Sequence, residues 1–132
     1  MTIAYQKTEI PEGRKNDNYT LTVDADGRVT SAIGDMAEPA LTIAADGGVT
    51  APDTVRSKLE LGDSYGMRNA SSLGKEWYEH SEGYCSYLKG KTEKEVADIP
   101  ADGSDADLAA LCTISIDALQ KAAGDAFENA SL

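Results

Sequence analysis

The residues able to do chemistry crowd into one stretch of this chain. Five of its eight aromatic side chains, Tyr65, Trp77, Tyr78, Tyr84 and Tyr87, lie between positions 65 and 87. Tyr and Trp offer a flat apolar face with one polar tip, which suits a planar ligand or a partner protein. The same residues could also supply core volume where branched aliphatics are scarce. Arg68 stands in the small-residue run 66–72, ahead of an expected helix start capped by Ser71 or Ser72. A cation beside exposed helix amides is the best candidate anion site on an acidic protein. Tyr65, Met67, Arg68, Trp77, Tyr78 and Tyr87 are therefore the expected ligand-contact residues.

The other candidates are weaker. His80 is the single histidine, and Glu76 precedes it by one helical turn. Two ligands of mixed type are too few for zinc, so the pair reads as a solvated Glu–His contact, with a histidine able to titrate near neutral pH. Cys85 lies five residues beyond His80, about 140° around a helix, so the two cannot form a catalytic pair from one helix. Asp102, Asp105 and Asp107 read as first-turn charge complementing a helix dipole, or as a weak cation site. Asp24 and Asp26 lack the further ligands of a calcium loop. No Gly-x-Ser-x-Gly elbow and no phosphate-binding loop occurs. No catalytic residue and no metal ligand is assigned.

The elements that must position these groups follow from periodicity. Residues 1–18, with Pro11, Gly13, Asn16, Asp17 and Asn18, read as a flexible lead-in. Tyr19, Leu21 and Val23 alternate with polar residues, an Asp-Gly turn follows, and Val29 to Ile33 returns. The pattern recurs about twenty residues later: a strand over 40–44, a turn at 45–48, and a short strand over 49–51 stopped by Pro52. Leu73, Trp77, Tyr84 and Leu88 share one helical face. Thr92 and Glu95 form a capping box for a short helix ending before Pro100. Ser104 is the expected cap of the next helix, and Thr113-Ile114-Ser115 should interrupt it. Ile116, Leu119, Ala123 and Phe127 mark the last helix. The expected architecture is α+β: an N-terminal antiparallel sheet of two hairpins packed against C-terminal helices, one domain over 19–132.

Composition bounds the function class. With 23 acidic against 12 basic residues the net charge is −11, which opposes a nucleic-acid partner. Leu, Ile, Val and Phe together number 23 of 132 residues, which warns of a thin core. No apolar run reaches the length of a transmembrane segment, and no signal-peptide core precedes the domain. Cys85 and Cys112 are either two buried thiols or one disulfide between helices.

Two stretches carry a resemblance. The segments LGDSYGMRNASSLGKEWYEHSEGYCSYLKGKTEKEV and DADLAALCTISIDALQKAA, with VDADGRVTSAI, resemble uncharacterised secreted or lipid-anchored proteins of anaerobic gut Firmicutes. That likeness covers about residues 19–130 and implies an extracellular or cell-surface location, but no activity. VDADGRVTSAI is also similar to the strand-turn-strand of the FMN-binding domain of electron-transport flavoproteins. In that family a Ser-Gly-Ala-Thr-x-Thr-Ser run opens the last helix, and its first Thr can carry flavin through a phosphodiester. The resemblance puts Thr113 at the flavin-bearing position, with Ala110 and Leu111 replacing the Ser and Gly, so it implies kinship of fold with a degenerate covalent site. The expected function is a non-enzymatic extracytoplasmic domain that binds a small molecule or protein partner without a cofactor. The alternatives are a flavin redox domain and a structural module of a surface protein.

Overall fold

The computed structural model describes residues 2–9, 15–38, 42–50 and 54–130. Strands β1 (Thr2–Glu9), β2 (Lys15–Val23) and β3 (Val29–Ala37) form an antiparallel sheet in the order β1-β2-β3. Strands β4 (Thr42–Ile43) and β5 (Val49–Thr50) form a separate two-stranded sheet. The α+β class holds, and both expected hairpins are present, but they form two separate sheets rather than the single sheet expected. Ala40, Leu41, Ala51 and Pro52, which belong to the expected second hairpin, lie outside the described residues.

One boundary needs correction. The stretch read as a lead-in contains β1 and the start of β2, paired from Thr2↔Thr22 to Glu9↔Lys15. Asn16, Asp17 and Asn18 favour turns alone, yet they are hydrogen-bonded on both sides, to β1 and to β3. Cross-strand pairing overrides a weak local preference. Pro11, Gly13 and Arg14 lie outside the described residues.

The two turns are built alike. Asp24 Oδ1 accepts from the amides of Asp26 and Arg28, both at 2.9 Å, and Asp46 Oδ1 accepts from Gly48 at 2.8 Å. A short polar side chain thus replaces the missing ladder partner at each turn. A bulge between Thr22 and Val23 shifts the register, so that Val29 and then Ala32, Gly34 and Met36 face inward.

Five helices follow: α1 (Lys58–Leu61), α2 (Trp77–Leu88), α3 (Glu93–Ala97), α4 (Ala106–Ala109) and α5 (Asp117–Glu128), with a 3₁₀ turn at Gly62–Tyr65 after α1. Helix α2 packs on β3 and α5 on β2 and β1. Between them lie Tyr19, Leu21, Tyr84, Leu88 and Leu119, each with at most 1% of its surface exposed. Burying one such leucine contributes about 1.5–3 kcal/mol. Tyr19 and Tyr84 meet edge to face, with ring centroids 6.5 Å apart. Aromatics and close-packed alanines (Ala122, Ala123 and Ala126) build much of this core, which answers the compositional warning. Gly34 is what lets the layers close. A Cβ there would stand 2.8 Å from the Tyr19 ring and 3.2 Å from Leu119.

Helix α2 also seals one sheet edge. Ser81 Oγ donates to the Gly34 carbonyl at 2.7 Å, so this helix face satisfies an edge acceptor of β3. No helix among the described residues is long and apolar enough to cross a membrane.

Candidate functional site

Helix α2 begins at Trp77 with Glu76 as its cap, later than the Ser71 or Ser72 start that the sequence suggested. Leu73 consequently sits on the surface, outside the helical stripe. The Glu76 carboxylate, 3% exposed, caps the helix in a reciprocal box with Glu79 and also accepts from the amides of Met67 (2.8 Å) and Arg68 (3.0 Å). A buried carboxylate is tolerated here because backbone N–H groups surround it. The helix N-terminus therefore already holds an anion, one supplied by the chain itself.

Arg68 is held in the same cluster. Its Nη2 pairs with Asp63 Oδ1 at 3.1 Å, its Nη1 with Glu79 Oε2 at 3.0 Å, and Nη1 also donates to the Gly74 carbonyl at 3.0 Å. The hydrogen bond to Asp63, aided by the charges of Glu79 and Glu76, holds the guanidinium above its usual pKa. Tyr78 Oη donates to the same Asp63 oxygen at 3.2 Å. Trp77 is buried, and the buried Lys58 Nζ lies 5.2 Å from its ring and 4.9 Å from that of Tyr65. Lys58 also pairs with Glu38 at 3.2 Å. The structure thus gathers Tyr65, Met67, Arg68, Trp77 and Tyr78, with the polar tips of Arg68 and Tyr78 committed to other residues of the chain. Tyr87 stands apart, ten residues or about 15 Å along α2 from Trp77. Its hydroxyl donates to Asp105 Oδ2 at 2.5 Å, Lys91 Nζ sits 4.2 Å over its ring, and its pKa is pushed up to about 12, first by the bond to Asp105.

Glu76 and His80 are not the solvated pair that their spacing suggested. His80 is fully buried and bonded at both ring nitrogens. The Thr113 amide donates to Nδ1 at 3.1 Å, which leaves the proton on Nε2, directed at Ser71 Oγ 2.9 Å away. Burial holds its pKa below the ordinary imidazole value, Lys75 pushes the same way, and Glu79 opposes them. Ser71, expected to cap α2, instead takes this ring and the amides of Leu73 and Lys75.

That imidazole leads to the second region. Helix α4 is capped by Asp105, one residue beyond the expected Ser104, and ends before the β-branched run, as anticipated. The loops on either side of α4 enclose a groove of about 250 Å³. Pro100, Leu108, Cys112, Ile114 and Ile116 contribute apolar wall, while Asp102, Asp105, Thr113 and Ser115 contribute polar atoms. Asp102 is held below its usual pKa by hydrogen bonds from Ser104, and Asp105 by the Tyr87 hydroxyl and the Leu108 amide. Both carboxylates stay ionised at neutral pH, and no lysine or arginine lines the groove. The wall is set firmly against α2. A Cβ on Gly83 would meet the Leu111 carbonyl oxygen at 2.5 Å, and Lys75 Nζ donates to that oxygen at 3.0 Å. Sequence reading reached Asp102, Asp105 and Thr113 separately. The β-branched interruption after a short helix was the signal that two loops converge here.

Thr113 is exposed on the groove, where the flavoprotein likeness would put a flavin phosphate. The surrounding residues do not fit that group. The Thr113 amide is committed to His80, the lining charges are both negative, Asp117 occupies the first turn of α5, and Leu111 stands where close backbone approach asks for glycine. Both cysteines are free and buried, and desolvation pushes both thiols up. Among the described residues no three His, Cys, Asp or Glu side chains are grouped to hold a metal.

No family model matches the chain, and no solved structure matches it. A 42-residue segment is 50% identical to a chlorophenol reductase of Desulfitobacterium hafniense. The match covers 32% of this chain and 13% of that protein, so the likeness concerns a small part of a longer relative.

Proposed function

We propose that this domain is a non-enzymatic, extracytoplasmic binding module that takes a small uncharged or cationic molecule in the groove beside α4. The observation that carries this reading is the lining: an apolar wall and two ionised carboxylates, Asp102 and Asp105, with no cationic side chain. A charged amine gains from such carboxylates, whereas a phosphate or carboxylate ligand is repelled. At about 250 Å³ the groove is near the lower end of ligand sites, so the occupant is small. In this reading the Arg68–aromatic cluster is scaffold. It fixes loop 66–76, and through Ser71 and His80 that loop steadies the groove wall. The extracytoplasmic location rests on the likeness to secreted and lipid-anchored proteins.

A thermal-shift panel tests this with small amines, neutral metabolites, short peptides, FMN and riboflavin. Amines or neutral compounds should raise Tm, since a ligand at a hundred times its Kd stabilises by about 2.7 kcal/mol. Ala109→Trp, which fills the groove, should abolish the shift. A panel without any shift, or a shift that survives Ala109→Trp, overturns the assignment. A flavin redox domain is the second reading, motivated by the likeness of VDADGRVTSAI to the strand-turn-strand of the FMN-binding domain. It predicts yellow protein, or a flavin-sized mass increase at Thr113 after co-expression with a flavin transferase.

A further inference from the structure

We infer that His80 is a proton-sensitive strap that couples the shape of the groove wall to pH. The inference rests on the groove reading above and concerns how that same site is regulated. One buried ring ties together two loops that are distant in sequence. Its Nδ1 accepts from the Thr113 amide at 3.1 Å, and its Nε2 meets Ser71 Oγ at 2.9 Å. Thr113 and its neighbour Cys112 are part of the groove wall.

The polarity of this arrangement is fixed. A backbone amide can only donate, so the strap exists only while Nδ1 carries a lone pair. A proton added at Nδ1 sets two donors against each other at about hydrogen-bond distance, inside a site with no water-facing surface. The relief is for the short stretch around Thr113 to move away. Its neighbours are anchored elsewhere, Cys112 and Ile116 by burial in the core and Ser115 by Asp117 at 2.8 Å, so the movement is confined to Thr113 and Ile114.

The charges around the ring set where it responds. Lys75, from loop 66–76, disfavours the imidazolium, while Glu79 on α2 favours it. Glu76, one turn earlier on α2, is engaged by the Met67 and Arg68 amides. The 110–116 segment contributes no charge. Burial and Lys75 outweigh Glu79, so the strap holds at neutral pH and opens under acid. The sign follows from linkage. A base with a depressed folded pKa contributes stability that is present above about 6.5, the unfolded value, and is lost as pH falls through the folded one.

The test uses the ligand-free domain. Because the chain has a single histidine, one imidazole signal reports the ring unambiguously. At pH 7.5 its nitrogen shifts should show the Nε2–H tautomer. Amide exchange, corrected for intrinsic rates, should show Thr113 protected. Below pH 6.5 that protection should fall by up to about tenfold per pH unit, the limit for one proton, in step with the imidazole titration. Amides of α5 should not follow. In His80→Gln, whose side-chain oxygen can accept the same bond without titrating, Thr113 protection should not vary with pH. Protection that stays flat while the imidazole titrates overturns the strap, as does the Nδ1–H tautomer or the same pH step in His80→Gln. If His80→Gln does not fold, the wild-type tautomer and the coincidence of the two titrations decide. Groove occupancy at pH 7.5 is read separately by thermal shift, so failure of the strap and failure of the binding site give different results.

Discussion

Two regions of this domain each gather a cluster of ionisable side chains, and they use them oppositely. Around the start of α2, Asp63, Glu76 and Glu79 converge on Arg68 and on backbone amides, and each strong donor has a carboxylate. Around α4, Asp102 and Asp105 also accept internal hydrogen bonds and open on a groove that no lysine or arginine lines, with Lys91 near Asp105 as the one cation that favours its charge. The first region looked more functional in the sequence because it had aromatics, an arginine and a helix start together. The difference teaches that residue type alone does not make a site. What matters is which charges the fold leaves uncompensated next to accessible apolar surface.

The sharpest break of this comparison is Glu76→Ala. It strips the cap of α2 and leaves the Met67 and Arg68 amides without their buried acceptor. The expected loss is about 3 kcal/mol, read as a lower urea midpoint at unchanged slope. Asp102→Asn in the groove should leave the urea midpoint nearly unchanged. Equal losses would erase the distinction between a structural and an open cluster. Next in size is Gly83→Ala. The new methyl would collide with the Leu111 carbonyl, a backbone atom that cannot swing aside, so about 2 kcal/mol should be lost. The damage should also reach the groove: Thr113 amide protection should drop while Arg68 retains its partners. An unchanged Thr113 amide would show that α2 does not set the wall.

Much of the fold was legible because its signals are local. Thr92 and Glu95 form the expected capping box at 2.8 and 3.4 Å, and Leu119, Ala123 and Phe127 face the core as their spacing implied. The errors share a cause, which is long-range partnership. β1 was missed because Thr2–Glu9 is a strand by virtue of pairing with β2, and its own pattern is weak. Ser71 offered a sound cap, but Glu76 competed for the helix and His80 for the hydroxyl. Arg68 stood out in the sequence as a local exception to the acidic field beside an expected helix start. Nothing in the sequence shows that Asp63 and Glu79 fold back to neutralise it. His80 was similarly opaque, because the Thr113 amide that fixes its tautomer lies 33 residues away.

A smaller effect comes from Tyr87, the residue that touches the groove from outside. Tyr87→Phe removes the donor to Asp105 Oδ2. Solvent screens much of this contact, so only a small loss of stability is expected at neutral pH, read as a slightly lower urea midpoint. The pH dependence is more telling than the size. The bond depresses the folded pKa of Asp105, so its stabilisation is present above the ordinary carboxylate value and is lost as pH falls through the depressed one. The phenylalanine variant should therefore lose less stability on acidification than wild type, while the Asp105 pKa followed by NMR moves back up. An unmoved pKa would leave the Leu108 amide as the main cause.

The smallest effect on ligand capture should come from Arg68→Gln, which makes it the cleanest discriminator between the two regions. Arg68 lies on the exposed side of its cluster; when it is removed Asp63 can turn to water and Glu79 keeps its bond to the Glu76 amide, so the domain should stay folded with a modestly lower Tm. If the groove is the binding site, an amine that shifts the wild-type Tm should shift this variant by the same increment. The removed charge would have repelled a cationic ligand only weakly, because salt screens it beyond about 8 Å. If the aromatic cluster were instead the contact surface, with Arg68 as its polar anchor, the same substitution would abolish the response to an anionic aromatic probe and leave Ala109→Trp without effect. The two variants thus read the two regions in opposite directions on one folded protein, and a response lost in Arg68→Gln but kept in Ala109→Trp would return the site to the start of α2.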